Sequence, residues 1–232
     1  MLQYRNEYKF LCSELELALI KSRLDILMER DRHQSGDSYR IRSLYFDDHY
    51  DSAFYENEAG VDNRRKFRIR VYDNPTDQIQ LEIKYKVKEK THKESCALTR
   101  QMCEDLINHT PSALSESLPE PLKELLVERQ LHGMAPKIII EYERSAYVCA
   151  LGNVRITFDK NIAYSKNIGD FFDVYMPLVP VLQRGQHILE VKYDEFIPDY
   201  IMQVMQLGNL NRGSFSKYYY ACKLARGEEF YD

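Results

Sequence analysis

Tryptophan is absent from the 232 residues, and glycine (nine) and proline (eight) are sparse. That composition excludes a collagen-like or linker-rich chain. Cysteine occurs only at positions 12, 96, 103, 149 and 222, an odd number with no C-x-x-C pair. Neither a disulfide framework nor a structural zinc site is expected. The six histidines are scattered with no H-x-x-x-H pair, which argues against a histidine metal site. No apolar run approaches the roughly 20 residues that span a bilayer, and the opening MLQYRNEYKF has no apolar signal core. These absences predict a soluble protein of a reducing compartment, the cytoplasm, with no intrinsic membrane segment. Net positive charge is missing too. At −4, the whole molecule is not a basic nucleic-acid binder, and nucleic acid is not an expected partner.

What is present is an ordinary globular mixture, 44% apolar and 29% charged, with 18 tyrosines. The length allows a sizeable core, and no composition break divides it, so a single domain over 1–232 is expected. The charge is unevenly placed. Residues 64–93 carry ten Lys and Arg against four Asp and Glu, so the remainder is strongly acidic. A basic zone on an acidic protein points to a localised anion site.

The pattern predicts strands with helices between them. Strands are expected over Tyr4–Leu11, Tyr39–Asp47, Arg64–Tyr72, Ile79–Lys90, His92–Leu98, Lys137–Cys149, Val154–Asp159 and His187–Tyr193. Asp73–Asp77 reads as a hairpin turn. Ser13 caps a helix to about Met28, with Glu16 completing a capping box. Further helices are expected over Thr99–Asn108, Glu120–Leu131, Pro198–Leu207 and Phe215–Ala225, with 110–121 largely loop. The sum is an α+β chain, mostly antiparallel sheet with peripheral helices.

Alternation places the charges on single strand faces. Arg5, Glu7 and Lys9 share a face, as do Lys66, Arg68 and Arg70, then Glu82, Lys84, Lys86 and Lys88, then Glu190 and Lys192. Arg144 and Arg155 lie in two further strands. One such face is ordinarily just solvated. Four of them, dominated by Lys and Arg with one Glu two residues before a Lys in three strands, imply more. If the sheet closes, they line a basic interior holding a few carboxylates. Buried charges need counter-charges, and a phosphate polyanion with oxygen-ligated Mg²⁺ or Mn²⁺ supplies them.

Eight segments in order resemble the VTC domain of the CYTH-like, triphosphate tunnel metalloenzyme superfamily. They are Glu7–Phe10, Ser43–Asp47, Lys66–Arg70, Leu81–Lys84, Tyr142–Tyr147, Val154–Asp159, Leu189–Lys192 and Phe215–Tyr218. The resemblance implies a closed eight-stranded antiparallel β-tunnel with peripheral helices. It implies that Lys9, Arg68, Arg70, Lys84, Arg144, Arg155 and Lys217 act on phosphate. Lys66, Lys93, Tyr142, Lys192 and Ser216 would bind substrate. Glu190 would hold Mn²⁺ or Mg²⁺, or serve as a salt-bridge partner; Glu7 and Glu82 would join it or orient an arginine. Position 5 is Arg where the wider superfamily's E-x-E-x-K signature has Glu, which suits the VTC branch over the hydrolytic triphosphatases. Position 214 is Ser where some members carry another Lys.

The function implied is a metal-dependent polyphosphate polymerase that transfers the ATP γ-phosphoryl group to a growing chain. ATP and polyphosphate or triphosphate are the expected partners. A tunnel hydrolase of triphosphates, or a polyphosphate-binding module without catalysis, uses the same lumen. Ser216 is not expected to be a nucleophile, because no general-base histidine lies near it in sequence.

Overall fold

A computed structural model describes residues 5–32, 34, 36–73, 78–88, 90–110, 115–205, 210 and 212–228. Ten strands form one antiparallel sheet: β1 (Arg5–Ser13), β2 (Glu29–Arg30), β3 (Tyr39–Asp47), β4 (Asn63–Tyr72), β5 (Ile79–Val87), β6 (Lys90–Leu98), β7 (Ala135–Cys149), β8 (Val154–Ser165), β9 (Val179–Pro180) and β10 (Gln186–Tyr193). The order β7-β3-β4-β5-β6-β1-β10-β8 returns to β7, so eight strands close a ring. The short β2 and β9 add to β7 and β8 from outside it. Closure leaves those eight strands with neighbours on both sides. The ring is uneven: β4 and β5 pair from Asn63/Val87 to Arg70/Gln80, whereas β1 and β6 meet only at Arg5/Thr91 and Asn6/Lys90.

Six helices surround or enter the ring: α1 (Glu14–Leu27), α2 (Ser52–Glu58), α3 (Arg100–Ile107), α4 (Glu120–His132), α5 (Asp199–Met205) and α6 (Lys217–Ala225). Local chemistry sets their ends. Ser13 accepts from the Glu16 amide while Glu16 accepts from the Ser13 amide, the expected capping box. Thr99 and Ser216 cap α3 and α6 by the side chain alone, accepting the Met102 and Tyr219 amides. At the β7–β8 hairpin, Gly152 has φ 73, and a Cβ there would collide with the Phe196 carbonyl.

Strand alternation sorts the core into three clusters. Outward residues Leu44, Phe46, Phe67, Ile69, Leu81 and Ile83 pack under α3 and α4. On the opposite wall Ile156, Phe158, Leu189 and Val191 pack under α1 and α5. The third cluster is inside: Ile41, Tyr45, Ile140, Tyr142 and Ile188 pack against Tyr218, Ala221 and Cys222 of α6. Helix α6 therefore closes one end of the ring. Each fully buried Ile or Leu in these clusters contributes about 1.5–3 kcal/mol.

Several boundaries differ from the sequence reading. The strand expected over Ile79–Lys90 ends at Val87, because Lys88 adopts φ 54 and turns the chain into β6. β8 runs on to Ser165 through a bulge, where Asn161 (φ 52) and Ile162 together face Tyr142. Helix α2 and strands β2 and β9 were not expected. α2 is seven residues, begins after a left-handed Asp51 (φ 56) and has no amphipathic run to read. Tyr4, the turn residues 74–77 and Leu207 lie outside the described residues. No described helix is long and apolar enough to cross a membrane.

Candidate active site in the ring

The ring encloses a cavity of about 1120 Å³ lined, among the described residues, by fourteen Lys and Arg side chains against two glutamates, Glu7 and Glu190. Every charged strand face identified in the sequence turns inward, while its apolar alternates reach the outer clusters. Like charges stand directly opposite each other across strands: Arg64 faces Lys86, Lys66 faces Lys84, and Lys84 faces Lys93. Such pairs are destabilising and call for anionic compensation.

Part of that compensation lies beneath the lining. Glu82 is 1% exposed and absent from the cavity wall. It accepts from Arg68 Nε at 2.8 Å and Lys93 Nζ at 2.8 Å, with Arg70 at 3.4 Å. Burial opposes its charge, but Arg70, Arg68 and Lys93 outweigh it and hold the carboxyl far below the usual range. Arg70 also reaches Ser43 and the Tyr142 hydroxyl, and Arg68 the Tyr45 hydroxyl. The two guanidiniums are thus held in place by Glu82, Ser43 and the Tyr45 and Tyr142 hydroxyls while both arginines line the lumen.

A second buried carboxylate, Asp159, holds Arg144 in a bidentate pair at 2.6 and 2.8 Å and Lys217 Nζ at 2.5 Å. Burial resists its charge; Arg144 and Lys217 still draw its pKa down. Tyr142 lies between these cations, with Arg144 5.3 Å and Lys217 4.7 Å from its ring centre. Arg155 is held by Asp31 and donates to the Tyr39 hydroxyl at 3.3 Å. Asp31, Asp159, Tyr45 and Asn57 were not among the sequence candidates. Asp31, Tyr45 and Asn57 meet their partners at a distance in sequence, while Asp159 faces Arg144 across the β7–β8 hairpin, a pairing that only the hairpin register reveals.

Glu7 and Glu190 form the acidic spot. Lys84 bonds both Glu7 oxygens at 2.8 and 2.9 Å. Lys9 lies 3.0 Å from Glu7 and 3.7 Å from Glu190, and Lys192 2.7 Å from Glu190 and 3.7 Å from Glu7. Burial works against both carboxylates, yet the lysines hold each well below the usual range. With three lysines around Glu7, positive charge is in excess: burial, with Lys9 and Lys192 nearby, pushes Lys84 down to about 7 although Glu7 opposes the shift.

Fourteen of the fifteen sequence candidates line this one cavity: Lys9, Lys66, Arg68, Arg70, Lys84, Lys93, Tyr142, Arg144, Arg155, Lys192, Ser216 and Lys217 with Glu7 and Glu190; Glu82 lies behind it. Among the described residues, no three His, Cys, Asp or Glu side chains converge as a metal cluster. Glu7 and Glu190 nevertheless share two lysines and face open volume, a donor set that suits a hard cation completed by phosphate and water oxygens. Glu82 does not fit that role, since it is 1% exposed and does not reach the cavity wall.

The VTC domain family model matches residues 4–226. The chain belongs to the VTC domain family. No curated protein matches this VTC domain in sequence. Among solved structures, a candidate adenylate cyclase from Bacillus halodurans superposes with TM-score 0.50 at 12% identity, covering 88% of this chain and 87% of that one. The Mimivirus capping enzyme triphosphatase superposes with TM-score 0.41 at 11% identity, covering 88% and 90%. A conserved Pyrococcus furiosus protein gives 0.48 at 12%, covering 93% and 99%. The ring of this VTC domain is the closed eight-stranded antiparallel fold that the sequence resemblance implied.

Proposed function

We propose that this VTC domain is a metal-assisted phosphotransferase that moves the γ-phosphoryl group of ATP onto the end of a polyphosphate chain held in its lumen. The observation that carries the reading is the lining itself: among the described residues, fourteen Lys and Arg side chains, several opposite one another across strands, against two carboxylates. A phosphate chain is the counter-charge that such a lining fits.

Phosphoryl transfer needs alignment and charge neutralisation more than covalent help from the protein. Arg68 and Arg70, fixed by Glu82, present guanidinium edges to non-bridging oxygens. Arg144, Arg155 and Lys217, held by Asp159 and Asp31, do the same from the facing wall. Lys9, Lys84, Lys93 and Lys192 supply further positive charge, and Lys66, Tyr142 and Ser216 contact the substrate. Glu190 and Glu7 would hold Mg²⁺ or Mn²⁺, which when bound neutralises phosphate oxygens as a Lewis acid. A terminal oxygen of the chain attacks the γ-phosphorus in line, and ADP departs. Glu82 positions arginines in this account.

The test is incubation of the pure protein with ATP and Mn²⁺, with and without a short polyphosphate primer, followed by a gel stained for polyphosphate. Long chains with stoichiometric ADP support the reading. Free phosphate without chains makes it a tunnel hydrolase. Tight polyphosphate binding without turnover makes it a binding module.

A further inference from the structure

Ser216 and Lys66 meet in a way their sequence positions do not suggest. Lys66 Nζ, from β4, lies 2.8 Å from Ser216 Oγ at the start of α6 and 2.8 Å from Asn57 Oδ1 of α2. Both Ser216 and Lys66 line the cavity. Among the described residues no carboxylate lies within 4 Å of Lys66 Nζ, unlike Lys9, Lys84 or Lys192. Its setting is cationic, with Lys84 directly opposite across the strands. Burial, then Arg64, Lys9 and Lys84, push its pKa well below that of an ordinary lysine.

Lys66 Nζ has two oxygens at 2.8 Å, Ser216 Oγ and Asn57 Oδ1, and a neutral amine can satisfy both. Ser216 Oγ accepts the Tyr219 amide as helix cap, which leaves its own proton to donate. An amine lone pair on Lys66 can accept that proton while an amine N–H donates to Asn57. A nucleophile, a base within hydrogen-bond reach and a third group orienting the base make up the arrangement of an activated serine.

We propose that Ser216 and Lys66 form a Ser–Lys dyad through which this domain phosphorylates its own Ser216 from a nucleoside triphosphate. The proposal rests on the reading that a γ-phosphoryl donor binds in the lumen. Ser216 Oγ forms a bond to the γ-phosphorus. The bond from that phosphorus to the β–γ bridging oxygen breaks, and its electron pair leaves with the nucleoside diphosphate. The hydroxyl proton passes to Lys66 Nζ. The phosphoserine then sits at the N-terminus of α6 beside Lys66, near the positive end of the helix dipole.

The experiment incubates the full chain with ATP and Mg²⁺, then measures intact mass, maps modified peptides and assays chains in the same tube. One phosphoryl group on Ser216 is expected, absent in Ser216→Gly, a residue tolerated at an N-cap nearly as well as Ser. Lys66→Arg replaces the amine with a group that stays protonated and cannot act as a base, and should slow the modification by about a hundredfold or more, with the melting temperature measured alongside to exclude unfolding. Chains formed with Ser216 unmodified overturn the dyad and leave the polymerase reading standing. Phosphoserine without chains supports the dyad and overturns the polymerase reading. Phosphoserine formed equally fast in Lys66→Arg overturns the role of Lys66, and neither product overturns both proposals.

Discussion

Glu82 shows how a buried charge can be structural and still serve a site. It is 1% exposed and bonded to Arg68, Arg70 and Lys93. Lys93 is half exposed, so its bond contributes little; the two arginines carry the interaction. Glu82→Gln leaves two buried guanidiniums without their anion and should cost about 3–5 kcal/mol, read by urea denaturation. The sign of the pH dependence follows from the depressed carboxyls of Glu82 and Asp159. Such groups bind fewer protons folded than unfolded, so their contribution is complete above the unfolded carboxylate pKa of about 4 and is lost as pH falls below it. The urea midpoint should therefore decline as the solution is acidified below about pH 4, and decline less steeply in Glu82→Gln. An equal slope in both proteins would remove Glu82 from this account.

At the scale of elements, α6 decides what the ring can be. Its Tyr218 ring stacks on Tyr45 at 5.3 Å, and its hydroxyl donates to buried Asp47. Asp47 also accepts the Ala53 and Phe54 amides of α2, so one carboxylate fastens two helices to the end of β3. Tyr218→Phe removes one donor and should cost about 1–3 kcal/mol. Amide exchange should accelerate first in α2 and α6; uniform acceleration across the sheet would contradict a local fastening. The strands were legible in the sequence because alternation of charged and apolar residues, as in Lys66–Arg70, reports a two-sided sheet directly. The carboxylates behind the lumen were not: Asp31 meets Arg155 from 124 residues away in the folded sheet, and Asp159 faces Arg144 only through the register of the β7–β8 hairpin. Asn57 was hidden for the same reason, on a helix too short to show a period. Ser216 was not expected to be a nucleophile for want of a nearby histidine; the amine within hydrogen-bond reach of its hydroxyl belongs to a lysine 150 residues away in sequence, which is what the proposed dyad builds on.

For the whole molecule, a chain of net charge −4 carries its positive charge inside and its negative charge elsewhere. On the proposed function, a phosphate chain would be drawn to the lumen and repelled by the acidic remainder. Salt should weaken its binding by screening that attraction, though less for contacts deep in the ring than at an exposed surface. Calorimetric titrations at rising ionic strength check this, and an affinity indifferent to salt would contradict it. The most direct test of the central claim compares tripolyphosphate binding to the wild type, Arg70→Met in the lumen and Arg23→Met on the exposed outer helix. Losing a charge-assisted fork should weaken binding about tenfold or more, so Arg70→Met is predicted to fall by that factor and Arg23→Met to match the wild type. Equal affinities in all three proteins would place the phosphate chain outside the ring and contradict the account.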